Sequence, residues 1–548
     1  MVLIAGVALV ISMIAAVLIV PFVRRIALAI GMVDKPDKDR KLHSSSIALG
    51  GGIAVLAGLL IGVAVAVSVA HSTLFAGVVN EWFGIEFSPE QLDRFNEQWL
   101  GLILAALAML CVGLVDDIFV LRGRQKLLCQ ILIISALVGT GTVVDRVGLF
   151  GMELQLGSLA FPGTVLWLLI CVNALNLIDG ADGVATTTGF FISLGLAVIS
   201  LHYGSTLGSL FAFALAGSLV GFLWFNKPPA TIFLGDAGSM VIGLLVGVIS
   251  VWSSVKESTL LASAPIAILA VPLIDSAAAI TRRWLTGRSI YAADRAHLHH
   301  LLQRKYGHKK MLLIVAGLCS LATGLAIASA IFNAPLLAVV GFAGVICLLL
   351  VTRSFGYAEC QLVAMKLSNL THSMFSRPSG MQTSSDSRWL PLQGSGDWQM
   401  VWEPLVQMAR INELSRVSID LNLSSLHEGF HANWSDSTQP DRDSQASMRW
   451  PIIIRLPDSH VSLNVGTLTM VADADRTDLS ERFSNVCSML GQMEAQIHSV
   501  IAKLDREIIS LQTSPQQVVP KPASLGRETH ESESAVPASI ATDPALTP

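Results

Sequence analysis

Long apolar runs separated by short polar loops recur through the first 351 residues, and nothing else in the sequence limits the fold so strongly. They lie near Met1–Val23, Ile47–Ala70, Leu100–Val115, Leu127–Val144, Gly163–Ile178, Thr186–Leu201, Leu207–Phe225, Ile232–Val251, Leu261–Ile280, Met311–Ile331 and Leu336–Val351. About 20 apolar residues in a helix cross the ~30 Å hydrocarbon core of a bilayer with every backbone group bonded internally. The expected fold class is therefore an all-α polytopic membrane protein with about eleven transmembrane helices. With 52% of 548 residues hydrophobic and only 14% charged, the chain lies far from soluble-domain averages. The first run lacks the basic flank and small-residue cleavage site of a signal peptide, so it reads as a membrane helix.

Orientation follows from Lys and Arg, which are retained on the cytoplasmic side. The first loop carries Arg24, Arg25, Lys35, Lys38, Arg40 and Lys41; the third carries Arg122, Arg124 and Lys126. The loop before the tenth run adds Arg282, Arg283, Arg288 and Arg295, then Arg304, Lys305, Lys309 and Lys310. Alternate loops hold Arg94, Arg146 and Lys256. The amino terminus is thus expected outside and the carboxyl terminus inside, as for a multi-pass protein of a plasma (inner) membrane surrounded by membrane lipids. A net charge of -4 makes no case for nucleic acid binding. The seven cysteines sit mostly within apolar runs without paired metal-ligand spacing, as small buried hydrophobes would.

From about Arg353 the composition becomes that of a soluble protein. The expected organisation is a transmembrane domain over 1–352, a linker over 353–397, a small cytoplasmic α+β domain over 398–512 and a disordered tail over 513–548. Arg416–Leu423, Pro451–Pro457 and Val461–Val471 are β-like, the last alternating Val461, Leu463 and Val465. Leu479, Phe483, Val486, Leu490, Met493, Ile497, Val500, Leu504 and Leu511 then recur at helical spacing. That stripe serves either packing on its own sheet or pairing between subunits in a homodimer. Nothing in this extension names a partner.

A charge at the bilayer centre costs about 2.5–3.5 kcal/mol on insertion scales, so polar residues at span ends are informative. Here they gather in loops assigned to one face. Asp116 and Asp117, followed by Lys126, are adjacent carboxylates that stay ionised together only beside a cation or basic group; helix-end carboxylates without a ligand are the bland alternative. The segment from Asn173 through Asn176, Asp179 and Asp182 to Gly183 puts amides, carboxylates and glycines into one short loop, more than a plain Asp-Gly turn needs. In Phe233-Leu234-Gly235-Asp236-Ala237-Gly238-Ser239 a carboxylate flanked by glycines opens a helix, where it can hold a metal while backbone N–H groups face a phosphate. Asp275, Arg282 and Arg283 lead to Asp294-Arg295-Ala296-His297-Leu298-His299-His300, where Arg suits a pyrophosphate and His suits phosphate or sugar oxygens. A zinc site there is disfavoured by nearby Arg and distant Cys. Lys41 and His43, in the first loop, are placed to meet an anionic lipid headgroup, the plain alternative being membrane anchoring.

In this order the segments resemble the polyprenyl-phosphate N-acetylhexosamine-1-phosphate transferase superfamily, of glycosyltransferase 4 type, over roughly residues 1–351. The Asp-Asp-then-Lys, NALNLIDGADG and FLGDAGS segments match motifs shared across it. DRAHLHH looks like the branch of undecaprenyl-phosphate GlcNAc-1-phosphate transferases, whereas the muramoyl-pentapeptide branch has a different His-rich loop. The resemblance implies transfer of N-acetylhexosamine 1-phosphate from a UDP-N-acetylhexosamine, such as UDP-GlcNAc, to undecaprenyl phosphate, with release of UMP. It also implies Mg²⁺, with Mn²⁺ as a substitute. The resemblance places Asp236 on the metal with Asn176 and Asp116. Asp116, Asp117, Asp179, Asp182 and Asp236 form the implied catalytic set, and Asp182, Phe233 and Asn173 the nucleotide contacts. Lys126, Arg295, His297, His299 and His300 would face phosphates and sugar, and Lys41 and His43 the lipid phosphate. A transporter or flippase is the rival reading, but no inverted repeat is apparent and the polar motifs sit at one face instead of the midplane.

Overall fold

Every apolar run contains helix, as backbone in a lipid solvent must. The computed structural model describes residues 2–34, 47–71, 89–149, 152–253, 260–261, 263–285, 296–352, 398–423, 428–435, 445–455, 462–473 and 478–492, with isolated positions at 355, 360, 496–497 and 499–500. In chain order these form α1 (Val2–Ile30), β1 (Val33–Asp34), β2 (Ile47–Ala48), α2 (Gly51–His71), α3 (Pro89–Phe119) and α4 (Gly123–Gly139). Next come β3 (Arg146–Leu149), β4 (Met152–Gln155), α5 (Ala160–Ile178), α6 (Val184–His202), α7 (Thr206–Asn226) and α8 (Gly235–Trp252). β5 (Leu260–Leu261), α9 (Ser263–Ile268), α10 (Ala270–Leu285), α11 (Leu298–Ile331) and α12 (Pro335–Val351) complete the apolar part.

Among the described residues, eight helices are long and apolar enough to cross a membrane. The remaining runs account for the difference from eleven. Helices α4 and α12, at 17 residues each, fall at the lower limit for a span. The ninth run is not one helix: it divides around Leu269 into the six-residue α9 and the 16-residue α10. Conversely α11 exceeds its run, because a backbone break at Gly307 joins a short leading segment to the apolar helix beyond.

Outward-facing Leu18, Phe22, Leu104, Leu132, Leu166 and Leu313 are exposed, as a lipid-facing surface requires. The centre is α8, buried from Ala237 to Val251 and packed against α2, α3, α5 and α6. Small residues allow that close approach. A Cβ on Gly113 of α3 would lie 2.2 Å from the Ala237 Cα, and one on Gly52 of α2 would lie 2.4 Å from the Gly238 Cα. Several helices therefore deliver their ends to the start of α8. The extended segment before α2 joins them: Phe233 N donates to Ala48 O at 2.8 Å, and Gly51 N to Phe233 O at 3.0 Å.

The polar extension forms α13 (Gln399–Ile411), strands β6 (Arg416–Leu423), β7 (Glu428–Ser435), β8 (Gln445–Arg455) and β9 (Ser462–Asp473), and α14 (Leu479–Gln492). The sheet is antiparallel in the order β7-β6-β9-β8. Alternate residues Val417, Ile419 and Leu421 of β6 join Leu468 and Met470 of β9 in a core with Trp398, which immediately precedes α13, and with Trp402 and Leu405 of α13. Phe483 and Val486 of α14 complete it, so the described part of the stripe packs on its own sheet. Strand β7 was not expected: its Gly, His, Asn and Ser positions obscure an alternation carried by Phe430, Ala432 and Trp434. The linker apart from residues 355 and 360, the stripe positions Met493, Leu504 and Leu511, and the tail lie outside the described residues.

Candidate active site

Helix α8 begins with Gly235 at φ +76°, preceded by Leu234, which cannot cap it. Its first amides are instead taken by a carboxylate from another helix. Asp236 N and Ala237 N donate to Asp117 Oδ1 and Oδ2 at 2.8 and 3.3 Å. A negative group at a helix N-terminus satisfies orphan donors and opposes the positive end of the helix dipole. Glycine at 235 is required twice over: the conformation is left-handed, and a Cβ would stand 2.6 Å from Asp117 Oδ2.

Lys126 of α4 ties the neighbouring elements together. Its ammonium lies 2.8 Å from Asp116 Oδ2 on α3 and 3.0 Å from Asp236 Oδ1 on α8, and donates to Asn176 Oδ1 on α5 at 3.1 Å. Asn176 Nδ2 donates to Asp236 Oδ1 and, at 2.9 Å, to Ser239 Oγ. Asp116 Oδ1 accepts from Leu121 N at 2.7 Å, which fixes the turn leading into α4. The three residues expected around a metal thus do converge, and the point they share is the Lys126 ammonium.

A cavity of about 520 Å³ opens beside this knot, lined by Asp34, Asp116, Asp117, Asp179, Asp182, Asn226, Phe233, Asp236 and His300, with Gln303 and His308 on its wall. Asp179, at the end of α5, is partly open to the cavity and otherwise enclosed by protein. Burial holds its carboxyl well above the usual carboxylate range, and the charges of Asp236 and Asp117 push it the same way against an opposing pull from Lys126. Asp182 Oδ2 accepts from Ala230 N at 2.9 Å, joining the loop after α5 to the loop before α8. Asn226 spans the same gap, accepting from Thr186 Oγ1 at 2.7 Å and donating to Ile232 O at 3.0 Å.

The histidines are stacked behind one wall. His297 Nδ1 is 2.9 Å from Asp275 Oδ2, and Asp275 Oδ1 accepts from Leu298 N at 2.8 Å, so one buried carboxylate fixes both a ring and the first turn of α11. His297 and His299 stack with centroids 5.7 Å apart, and His300 stands 4.2 Å from His299. His299 is buried without a hydrogen-bond partner among the described residues, with Nε2 2.3 Å from where a Gly180 Cβ would be.

The geometry gathers Asp116, Asp117, Asp179, Asp182, Phe233, Asp236 and His300 at one cavity, with Lys126 and Asn176 at its edge. Asn173 does not line it; its amide donates to Gln130 Oε1 and Leu169 O, both at 2.9 Å, one turn deeper. Lys41, His43 and Arg295 lie outside the described residues. Sequence reasoning passed over Gln130, Gln303 and His308 and gave no role to Ser239. Gln130 had a signal, since it lies one helical turn beyond Lys126 on α4.

Donor chemistry fits magnesium. The described residues hold no group of three His, Cys, Asp or Glu side chains arranged as a metal cage. Mg²⁺ does not need one, since it is usually bound by one or two carboxylates together with substrate phosphates and water. The cavity wall carries more carboxylates than Lys126 can balance, and every candidate ligand is a hard oxygen. Asp236 and Asp116, with the Asn176 amide oxygen, are the residues that would hold the ion.

Residues 99–254, which carry the Asp-Asp pair, the Asn-Asp loop and Asp236, match the model of glycosyl transferase family 4. The chain is 32% identical over 313 residues to a probable undecaprenyl-phosphate N-acetylglucosaminyl 1-phosphate transferase of Bacillus subtilis (strain 168), covering 56% of this chain and 80% of that one. It is 30% identical to the undecaprenyl-phosphate alpha-N-acetylglucosaminyl 1-phosphate transferase of Escherichia coli (strain K12), over 52% of this chain and 72% of the relative. A phospho-N-acetylmuramoyl-pentapeptide-transferase of Clostridium beijerinckii is 29% identical over 40% of this chain and 71% of its own. The chain therefore belongs to the polyprenyl-phosphate N-acetylhexosamine-1-phosphate transferases of glycosyl transferase family 4, a family of multi-pass membrane phosphotransferases, in their GlcNAc-1-phosphate transferase branch.

Proposed function

We propose that this protein transfers GlcNAc 1-phosphate from UDP-GlcNAc to undecaprenyl phosphate at the cytoplasmic face of the inner membrane, releasing UMP and leaving a lipid-linked sugar pyrophosphate that initiates a cell-envelope polysaccharide. The observation that carries the reading is the knot in which Asp116, Asn176 and Asp236, from three helices, meet at Lys126 beside one acid-lined cavity. The Bacillus subtilis and Escherichia coli relatives share the acceptor and the sugar in their names. The distribution of Lys and Arg supports the cytoplasmic assignment.

In this mechanism a phosphate oxygen of the lipid attacks the β-phosphorus of UDP-GlcNAc. A new P–O bond forms there, the bond from that phosphorus to the α,β-bridging oxygen breaks, and the electron pair leaves with UMP. Negative charge grows on the bridging oxygen, and Lys126 stands at the cavity edge to stabilise it. Asp117, locked by two backbone amides, keeps the start of α8 in place, so Asp236 need not reorganise during the step. Asp116 stands beside Lys126, where it orients the lipid phosphate and receives a proton if that phosphate arrives protonated. Asp182, Phe233 and Asn226 also line the cavity and give it a polar and aromatic surface suited to uracil. Magnesium, or manganese in its place, supplies Lewis-acid polarisation and charge neutralisation when bound.

Purified protein with Mg²⁺, UDP-GlcNAc and undecaprenyl phosphate is expected to release UMP and to form the lipid-linked product, and chelation by EDTA is expected to stop it. Asp236→Asn is expected to lower turnover by about 10³-fold or more, in keeping with loss of an essential electrostatic group, while the protein stays folded. Absence of UMP with every UDP-HexNAc tried would overturn the reading, and near-normal turnover by the Asn variant would remove Asp236 from the metal site.

A further inference from the structure

Helix α11 bears on the cavity in a way that unbroken helical periodicity forbids. Gln303 and His308 both line it, and Gln303 Nε2 lies 3.2 Å from His308 Nε2. Positions five apart sit about 140° round a continuous helix and cannot share one wall. They do so here because the chain turns at Gly307, which has φ +75° and ψ 168°. No atom lies within 4 Å of where its Cβ would be, so glycine is used there for its backbone and not for space.

The wall this creates differs in chemistry from the one it joins. The carboxylates of Asp116, Asp117 and Asp236 suit a metal-bound pyrophosphate, whereas an amide and an imidazole offer hydrogen bonds of both senses to hydroxyl and acetamido groups. A site that gathered charge alone would have no use for the pair. We infer that Gln303 and His308, brought together by the break at Gly307, form the wall that reads the uncharged hexosamine ring of the nucleotide-sugar donor. The inference rests on the transferase reading above and adds two specificity-determining residues to it.

The test is steady-state UMP release by the full-length protein, with UDP-GlcNAc varied at saturating undecaprenyl phosphate and then the reverse. Gln303→Ala and His308→Ala are each expected to raise the KM for UDP-GlcNAc about tenfold, the size of one lost substrate hydrogen bond, with the KM for the lipid unchanged. His308→Gln, which keeps hydrogen-bonding capacity, is expected to recover part of the loss. Gly307→Ala is expected to match the double variant Gln303→Ala/His308→Ala, since it separates both side chains from the wall. If it fails to fold, as judged by its thermal unfolding profile, the side-chain variants carry the test. An unchanged donor KM in both alanine variants, a rise confined to undecaprenyl phosphate, or a fall in kcat alone would overturn the inference and leave the transferase reading standing. A wild-type protein that releases no UMP would overturn both.

Discussion

At the scale of single residues, the site is held by side chains that satisfy each other before any ligand arrives. Asp179 is an exception, because burial and two neighbouring carboxylates favour its neutral form. With the folded pKa above the unfolded value of about 3.9, the folded protein keeps a proton that the unfolded chain releases. Stability therefore falls as pH rises from the unfolded pKa towards the folded one. Asp179→Asn carries the neutral form at every pH, so in EDTA and without substrate its unfolding midpoint is expected to exceed that of the wild type at pH 8. The two should approach each other as pH falls towards 4. Turnover by the variant is expected to be lost, and a wild-type advantage in stability at pH 8 would contradict the assignment. The residues themselves were legible in the sequence, because carboxylates and amides at span ends are too costly to be incidental. Their partners were not: Lys126 pairs with Asp116 ten residues back, with Asn176 50 residues on and with Asp236 beyond that, and no periodicity links them.

At the scale of elements, the decisive contact is that of α3 with α8. Gly113 lies one turn before the Asp-Asp pair, and its missing side chain lets Ala237 come close enough for Asp117 to reach the amides of Asp236 and Ala237. Gly113→Ala is expected to destabilise by about 1–3 kcal/mol, as overpacking does, and to lower turnover by moving the cap away from α8. Gly317→Ala, in a helical position with open space around it, is the control and is expected to leave turnover unchanged and stability unchanged or raised by up to about 1 kcal/mol. Equal midpoints for the two variants would show that the close approach is not needed. Helix positions were readable from apolar length, but the division of the ninth run at Leu269 was not, since hydropathy measures transfer to lipid and is blind to where a buried segment turns. The break at Gly307 was hidden for a related reason: its charged surroundings read as a loop before the tenth run, where a glycine is ordinary and does not mark a turn between two helical segments.

At the scale of the whole molecule, the apolar part and the C-terminal α+β part have separate cores with no residue in common. Catalysis is expected to need only the first. Phe355, however, is buried in the core of the apolar part with the Arg282 guanidinium 5.6 Å from its ring, although it lies past the point where the apolar composition ends. A chain ended after Cys360 is expected to keep full UMP release, and one ended after Thr352 to unfold at a lower temperature by losing that contact. Equal stability of the two would remove Phe355 from the fold, and loss of activity in the longer one would give the extension a catalytic part. The sequence by itself determined that this is a helical membrane protein, which family it resembles and which carboxylates stand at the ends of spans, because lipid imposes length and apolarity on every span and makes each polar exception visible. Only the tertiary structure decided that Asp117 caps a helix, that Lys126 stands where three other side chains meet and that Gln303 and His308 face one cavity. Those facts depend on which helices touch and where the backbone turns, and both are set by packing between segments far apart in the chain.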